Sequence, residues 1–243
     1  MIDIHCHILP GLDDGAFSID DSLLMAKYAY ESGTRGIICT PHSGPYAYSA
    51  LLDAYTWLKK EITAHKIPLS VFLGQEIYLT DNYMRQIRDL ENGYPLTIHK
   101  TPYTLVEFPP TAPSHILCGA VARLRAAGLI PIVAHPERYA AVAEDISLAE
   151  KLKEAGALLQ INKGSLKGYF GREALRAAAC LLDTYSADFV ASDAHSPYER
   201  TPKLREVHAF ISERYSIDYA DHLMLTNPAR VVANRAVHSY NRY

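Results

Sequence analysis

The residues best equipped for chemistry crowd the start of the chain, where "MIDIHCHILPGLDDG" holds His5, His7, Asp13 and Asp14. In an extended segment, residues two apart project to the same side, so His5 and His7 can grip one ion together. "ASDAH" repeats the device with Asp193 and His195. Further residues of the same types stand alone: His42 in "CTPH", Glu76 in "GQE", Glu107 in "LVEF" and His135 in "VAHPER". A mixture of imidazole and carboxylate donors suits manganese, zinc or iron better than calcium or magnesium alone. These candidate ligands exceed one ion's needs, and Glu107, with two carboxylate oxygens, can bridge neighbouring ions. Asp14 or Asp13, in a glycine-containing turn, can add a ligand or a proton. Taken singly, each signal has an ordinary explanation. "HxH" can flank a strand end, "DDG" is a common tight turn, and an isolated Glu76 is usually a surface carboxylate.

Such residues act together only if the fold assembles them. Apolar runs predict strands over 2–5, 36–40, 69–74, 104–107, 131–134, 157–161 and 189–192. Amphipathic stretches between them predict helices over 19–32, 49–65, 82–90, 114–127, 147–155, 172–185 and 202–215, with a capping helix from about Pro228. "ESGTRG", "AAGLIP" and "EAGALL" place glycine just after a helical pattern, the expected C-cap position. Alternation of this kind is the signature of a parallel sheet covered on both faces. The predicted class is α/β, a distorted (βα)7 barrel with one unit fewer than the standard eight. The 243 residues are close to the roughly 250 such a barrel needs. No linker or composition break divides the chain, so residues 1–243 are expected to form one domain, with a polar, mobile tail from about 236. Every candidate ligand falls at the C-terminal end of its predicted strand. In a parallel barrel those ends open on one face, where barrel enzymes keep their active sites. Core histidines would not gather there, yet five of the eleven histidines do.

Composition excludes several functions. A net charge of -3, from 24 basic and 27 acidic residues, gives no footprint for nucleic acid or an anionic membrane. No apolar stretch approaches the roughly 20 residues that span a bilayer, and no signal segment precedes the first strand, so a cytoplasmic protein is expected. Cys6, Cys39, Cys118 and Cys180 stand singly, as reduced thiols do. A cysteine-dependent phosphatase needs an arginine six positions beyond its nucleophile. Leu12, Pro45, Leu124 and Ser186 occupy those positions. "NKGSLKGYFG" lacks the spacing of a P-loop and is expected only to join a strand to its helix, leaving Lys163 and Ser165 without a role.

Together, "DIHCHILPGLDDG", "TPH", "GQEIYLT", "LVEFP", "AHPERY" and "ASDAH" resemble the polymerase and histidinol phosphatase (PHP) family. Within it they are most similar to the manganese-dependent tyrosine-protein phosphatases of bacterial capsule and exopolysaccharide operons. The resemblance runs from Met1 to about Arg235, with the motifs in family order. It implies a seven-stranded distorted barrel and a centre of three metal ions, Mn²⁺ by resemblance, with Fe, Co or Zn accepted by the same ligands. It also implies that His5, His7, His42, Glu76, Glu107, His135, Asp193 and His195 are ligands and that Asp14 lies at the same centre. Arg138 and Arg200 would face the phosphate. Metal coordination can lower a water's pKa from 15.7 toward about 7 and so supply the nucleophile. Guanidinium groups match phosphate oxygens with paired hydrogen bonds. The implied substrate is phosphotyrosine on a protein, expected to be the tail of a cognate tyrosine kinase. The alternatives are a small-molecule phosphatase, such as one for histidinol phosphate, and a non-catalytic module that binds phosphorylated partners. Asp14 is a candidate general acid, and Phe108 and Tyr139 are candidates to border the phosphotyrosine ring.

Overall fold

Most short apolar runs form strands here because they are covered on both sides, with exposure confined to positions such as Ser70 and Tyr78. The computed structural model describes residues 1–240. Its strands are β1 (Ile2–Cys6), β2 (Gly36–Cys39), β3 (Ser70–Leu73), β4 (Glu76–Tyr78), β5 (Tyr103–Glu107), β6 (Ile130–Ala134), β7 (Leu158–Asn162) and β8 (Phe189–Ala191). All pairings are parallel, in a three-stranded sheet β1-β2-β3 and a five-stranded sheet β4-β5-β6-β7-β8. Isolated bridges Cys6 to Ala194 and His42 to Glu76 join the two sheets. The expected seven strands are therefore eight among the described residues. The strand expected over 69–74 forms as β3 and ends at Leu73, and after Gly74 and Gln75 an additional strand, β4, begins at Glu76, where none is expected. There the chain leaves β2 and crosses to β5, where Glu76 pairs with Leu105. Gln75 secures the crossing, since its Oε1 accepts from the Leu96 N–H at 2.8 Å.

The longer helices are α1 (Ile19–Glu31), α2 (Tyr48–Ala64), α3 (Tyr83–Glu91), α4 (Ser114–Ala126), α6 (Ser147–Glu154), α8 (Gly171–Asp183) and α9 (Arg205–Arg214). Short helices α5 (Ala140–Glu144), α7 (Lys163–Leu166), α10 (Ile217–Asp221) and α11 (Asn227–Val232) complete the chain. Helix α1 shows why these form. Ser18 caps it by accepting from the Asp21 N–H, acidic residues fill its first turn, and Ser22, Met25, Ala26 and Ala29 line its buried face.

Strand alternation divides the core. On β6, Ile132 and Ala134 pack inward with Ile4, Ile38, Leu105 and Phe189, while Val133 packs outward on Leu117 and Val121 of α4. On β5 the same two-residue step carries the inward face from Tyr103 through Leu105 to Glu107. A buried ion pair ties α6 to the start of β8, with Lys153 Nζ 2.7 Å from both oxygens of fully buried Asp188. The segment expected to be a mobile tail is packed as far as Tyr240. The Val237 N–H donates to Tyr103 Oη, and the Tyr240 ring stacks on Tyr185 at 5.6 Å.

Candidate metal centre

Where the strands end, the candidate ligands converge. His5 Nε2 lies 3.1 Å from His7 Nε2, and Glu76 Oε2 lies 3.1 and 3.2 Å from the same two atoms. Asp193 Oδ1 is 3.4 Å from His5 Nε2. His42 Nδ1 faces Glu76 Oε2 at 3.3 Å and Glu107 Oε2 at 3.8 Å. His135 Nε2 faces Glu76 Oε1 at 3.2 Å and Glu107 Oε1 at 3.5 Å. Asp14 Oδ1 approaches His195 Nε2 at 3.4 Å and His42 Nε2 at 3.6 Å. Three overlapping donor groups result: His7, Asp14, His42 and His195; His5, His7 and Asp193; His42, Glu76 and Glu107.

The protonation pattern tests whether cations fit this cluster. His5 Nδ1 is 2.8 Å from Gln160 Oε1, and His7 Nδ1 is 2.7 Å from Asp13 Oδ2. Both partners accept hydrogen bonds, so each Nδ1 carries a proton, and each ring in its neutral form turns its Nε2 lone pair toward the other. Two lone pairs and a carboxylate at such distances repel unless positive charge lies among them, supplied by protons on the rings or by metal ions, and the donor set fits metal ions. Fixing a ligand's tautomer through its second nitrogen is the usual way histidine metal sites are oriented.

Local backbone geometry aims the candidate ligands. His135 and Asp193 follow β6 and β8 with φ of 34° and 49°, a left-handed conformation that costs a non-glycine residue on the order of 1–3 kcal/mol. Each thus leaves the strand path at the mouth. In the first turn, a Cβ on Gly15 would lie 2.2 Å from the His7 carbonyl oxygen, so only glycine permits this close return of the chain.

Electrostatics follow from the crowding. Burial opposes a charge on His7, but hydrogen bonds to Asp13 and Glu76 push its pKa up to about 10 without a metal. Glu107 is pushed up to about 7 by burial and by Glu76. Burial opposes ionisation of Asp193, yet the charges of His5, His135 and Arg200 hold it below the usual carboxylate range. A hydrogen bond from His195 likewise holds Asp14 low. Asp14 is therefore ionised, which suits a ligand and opposes its expected role as a proton donor.

Arg138 and Arg200 reach the same centre. Arg200 Nη2 donates to Asp193 Oδ2, and Arg138 Nη1 stands 3.5 Å from that oxygen. Phe108 and Tyr139 do not line the mouth. Both are buried, and the Tyr139 hydroxyl donates to the Ala134 carbonyl while accepting from the Phe108 N–H. They lie in the apolar layer outside β5 and β6, because this layer takes the outward-facing residues.

Several supporting residues escape a motif search. Asp13 was visible only as an alternative to Asp14. Gln160 and Asn162 carry a usable signal, being polar residues two apart on the otherwise apolar run "LLQIN". That spacing directs both toward the inner face, where Gln160 meets His5 and Asn162 Nδ2 donates to Asp193 Oδ2.

Parallel α/β sheets with a His and carboxylate cluster at their strand ends define a protein built like the metal-dependent hydrolases of barrel-like fold. The chain belongs to the family described as capsular polysaccharide synthesis, CpsB/CapC, whose match spans residues 1–233. It is 36% identical over 241 residues to the tyrosine-protein phosphatase YwqE of Bacillus subtilis, covering 98% of this chain and 93% of that protein. Among solved structures it resembles one reported with YwqE from Bacillus subtilis and CpsB from Streptococcus pneumoniae, described as unique metal-dependent tyrosine phosphatases. The TM-score is 0.91 at 35% identity, over 99% of this chain and 97% of the other. Dihydropyrimidinase from Brevibacillus agri shares the fold alone, with a TM-score of 0.60 at 13% identity over 98% of this chain and 72% of its own.

Proposed function

We propose that this protein is a metal-dependent protein-tyrosine phosphatase acting on phosphotyrosine, on a cognate tyrosine kinase of capsule or exopolysaccharide synthesis. The observation that carries this reading is the convergence of five histidines and four carboxylates beside two arginines, in a chain whose relatives are named tyrosine-protein phosphatases. His5, His7, His42, Glu76, Glu107, His135, Asp193 and His195 hold the metals, with Asp14 at the same centre. Three overlapping donor groups support three ions, and the donor chemistry favours Mn²⁺ with Fe, Co or Zn as substitutes. When bound, the metals supply Lewis acidity and a water acidified enough to attack phosphorus.

The protein's own groups do the rest. Arg138 and Arg200 bind the phosphoryl oxygens and stabilise their charge through the transition state. Asp13 and Gln160 keep the imidazole lone pairs turned inward. A tyrosyl leaving group, with a phenol pKa near 10, departs with little help from a general acid. That agrees with an ionised Asp14. The centre is open to solvent along one side, where the Asp14 side chain is 64% exposed and that of His42 is 32% exposed. An open site admits a tyrosine projecting from a protein, whereas a small metabolite is normally enclosed. Unpaired thiols at all four cysteines support a reducing, cytoplasmic setting.

The test is phosphate release from a phosphotyrosine peptide and from histidinol phosphate, compared after chelation and readdition of Mn²⁺. The reading requires chelator-sensitive turnover that prefers the peptide and is lost in His135→Ala and Arg138→Ala. Preference for histidinol phosphate would overturn the substrate, and tight binding without turnover would make the protein a sequestering module.

A further inference from the structure

Beyond Asn162, which donates to Asp193, the segment "NKGSLKGYF" makes no contact with the candidate ligands, yet it bears directly on the two arginines. It runs from the end of β7 through α7 to the start of α8. Lys163, only 5% exposed, sends its ammonium group into the loop that follows β8. There it donates to the carbonyl oxygens of Thr201 and, at 3.0 Å, Lys203, directly beyond Arg200. That loop also folds onto itself, with the His195 N–H donating to the Arg200 carbonyl at 2.9 Å. Phe170 sits beside both guanidinium groups. Its ring centroid is 4.4 Å from Arg138 Cζ and 5.8 Å from Arg200 Cζ. Gly164 makes room for it, because a Cβ there would come within 2.7 Å of Phe170 Cε2.

We propose that Lys163 and Phe170 are positioning residues that hold Arg138 and Arg200 as one preassembled phosphate clamp. The inference rests on the reading that these arginines bind phosphate. Its physical basis is that Asp193 cannot orient both alone. Arg138, Arg200 and Asn162 all compete for its single Oδ2, and Arg138 remains 3.5 Å away. An aromatic face attracts a guanidinium and limits its tilt without consuming the N–H groups that phosphate needs. Lys163 supplies the other restraint by tying the backbone beside Arg200 to the end of β7. The two arginines come from different loops, and this segment is common to both.

The deciding measurement is inhibition of the Mn²⁺-loaded enzyme by inorganic phosphate, together with KM and kcat for para-nitrophenyl phosphate. Phe170→Leu and Lys163→Met should each weaken phosphate inhibition and raise KM about tenfold, with a smaller change in kcat and unchanged metal content. Phe170→Tyr, which keeps the aromatic face, should restore the native values. In an Arg138→Ala, Arg200→Ala background, where turnover is lost and calorimetric titration of the Mn²⁺-loaded protein with inorganic phosphate is the readout, Phe170→Leu should weaken phosphate binding no further, because its effect passes through the arginines. Losses that persist in that background, or single variants within twofold of native, would overturn the proposal. If removing both arginines leaves phosphate binding intact in that titration, the phosphate-binding reading fails and the clamp with it. Should Lys163→Met fail to fold, the comparison of Phe170→Leu with Phe170→Tyr decides by the same criterion.

Discussion

Asp13 Oδ2 lies 2.7 Å from His7 Nδ1 and also accepts the His42 N–H at 2.8 Å, so one carboxylate orients one candidate ligand and anchors a second. Asp13→Ala should therefore weaken metal binding about 10- to 100-fold, the usual cost of losing such a partner. Calorimetric titration of the metal-free protein with Mn²⁺ measures this, and native affinity in the variant would refute the role.

Gly15→Ala tests the same turn by steric means. A methyl group 2.2 Å from a carbonyl oxygen forces backbone movement beneath His7. Metal content after purification should fall severalfold while the far-ultraviolet circular dichroism stays native. Full metal content would show that the turn relaxes without disturbing His7.

Removing the metals should also destabilise the fold, since the cluster then brings buried donors together with nothing between them. Ligand linkage gives about 2.7 kcal/mol at a free metal concentration a hundred times Kd. Tm should drop on chelation and recover on readdition of Mn²⁺. Unchanged Tm across that cycle would argue against metals binding at this cluster.

Lys163 gives a pH signature of its own. Burial lowers its pKa to about 8, opposed chiefly by the charge of Asp3, while Lys167 pushes the same way as burial. Because the folded pKa lies below the ordinary 10.5, the unfolded chain binds more protons between the two values, and native stability gains from this group as pH rises. The stability of the native protein relative to Lys163→Met should therefore improve between pH 8 and 10. Denaturant melts at both pH values check the sign, and a constant difference would refute it.

Lys153→Met probes a contact remote from the mouth. It would leave the buried Asp188 carboxylate with the Leu159 N–H at 2.9 Å but without its cation. Loss of one partner of a buried pair costs roughly 3 kcal/mol. Urea unfolding should show that loss with kcat unchanged, and a decrease under 1 kcal/mol would mean that Asp188 accepts protonation or water cheaply.

By itself, the sequence determined the parallel α/β class, the main helices and the identities of the converging residues. Those depend on local periodicity and on residue types at strand ends, and both are written along the chain. His5 with His7, and Asp193 with His195, announce themselves because a two-residue step on an extended backbone has only one geometry. Tertiary structure alone decided that a separate strand begins at Glu76, since pairing with β5 rather than β2 depends on strands distant in sequence. It also decided that Asp13 serves His7, that Gln160 serves His5, and that Phe108 and Tyr139 belong to the core. Finally, it gave "NKGSLKGYF" its place beneath the arginines. A stacking contact between Phe170 and Arg138 has no spacing rule, because it arises only when separate loops fold onto the same mouth.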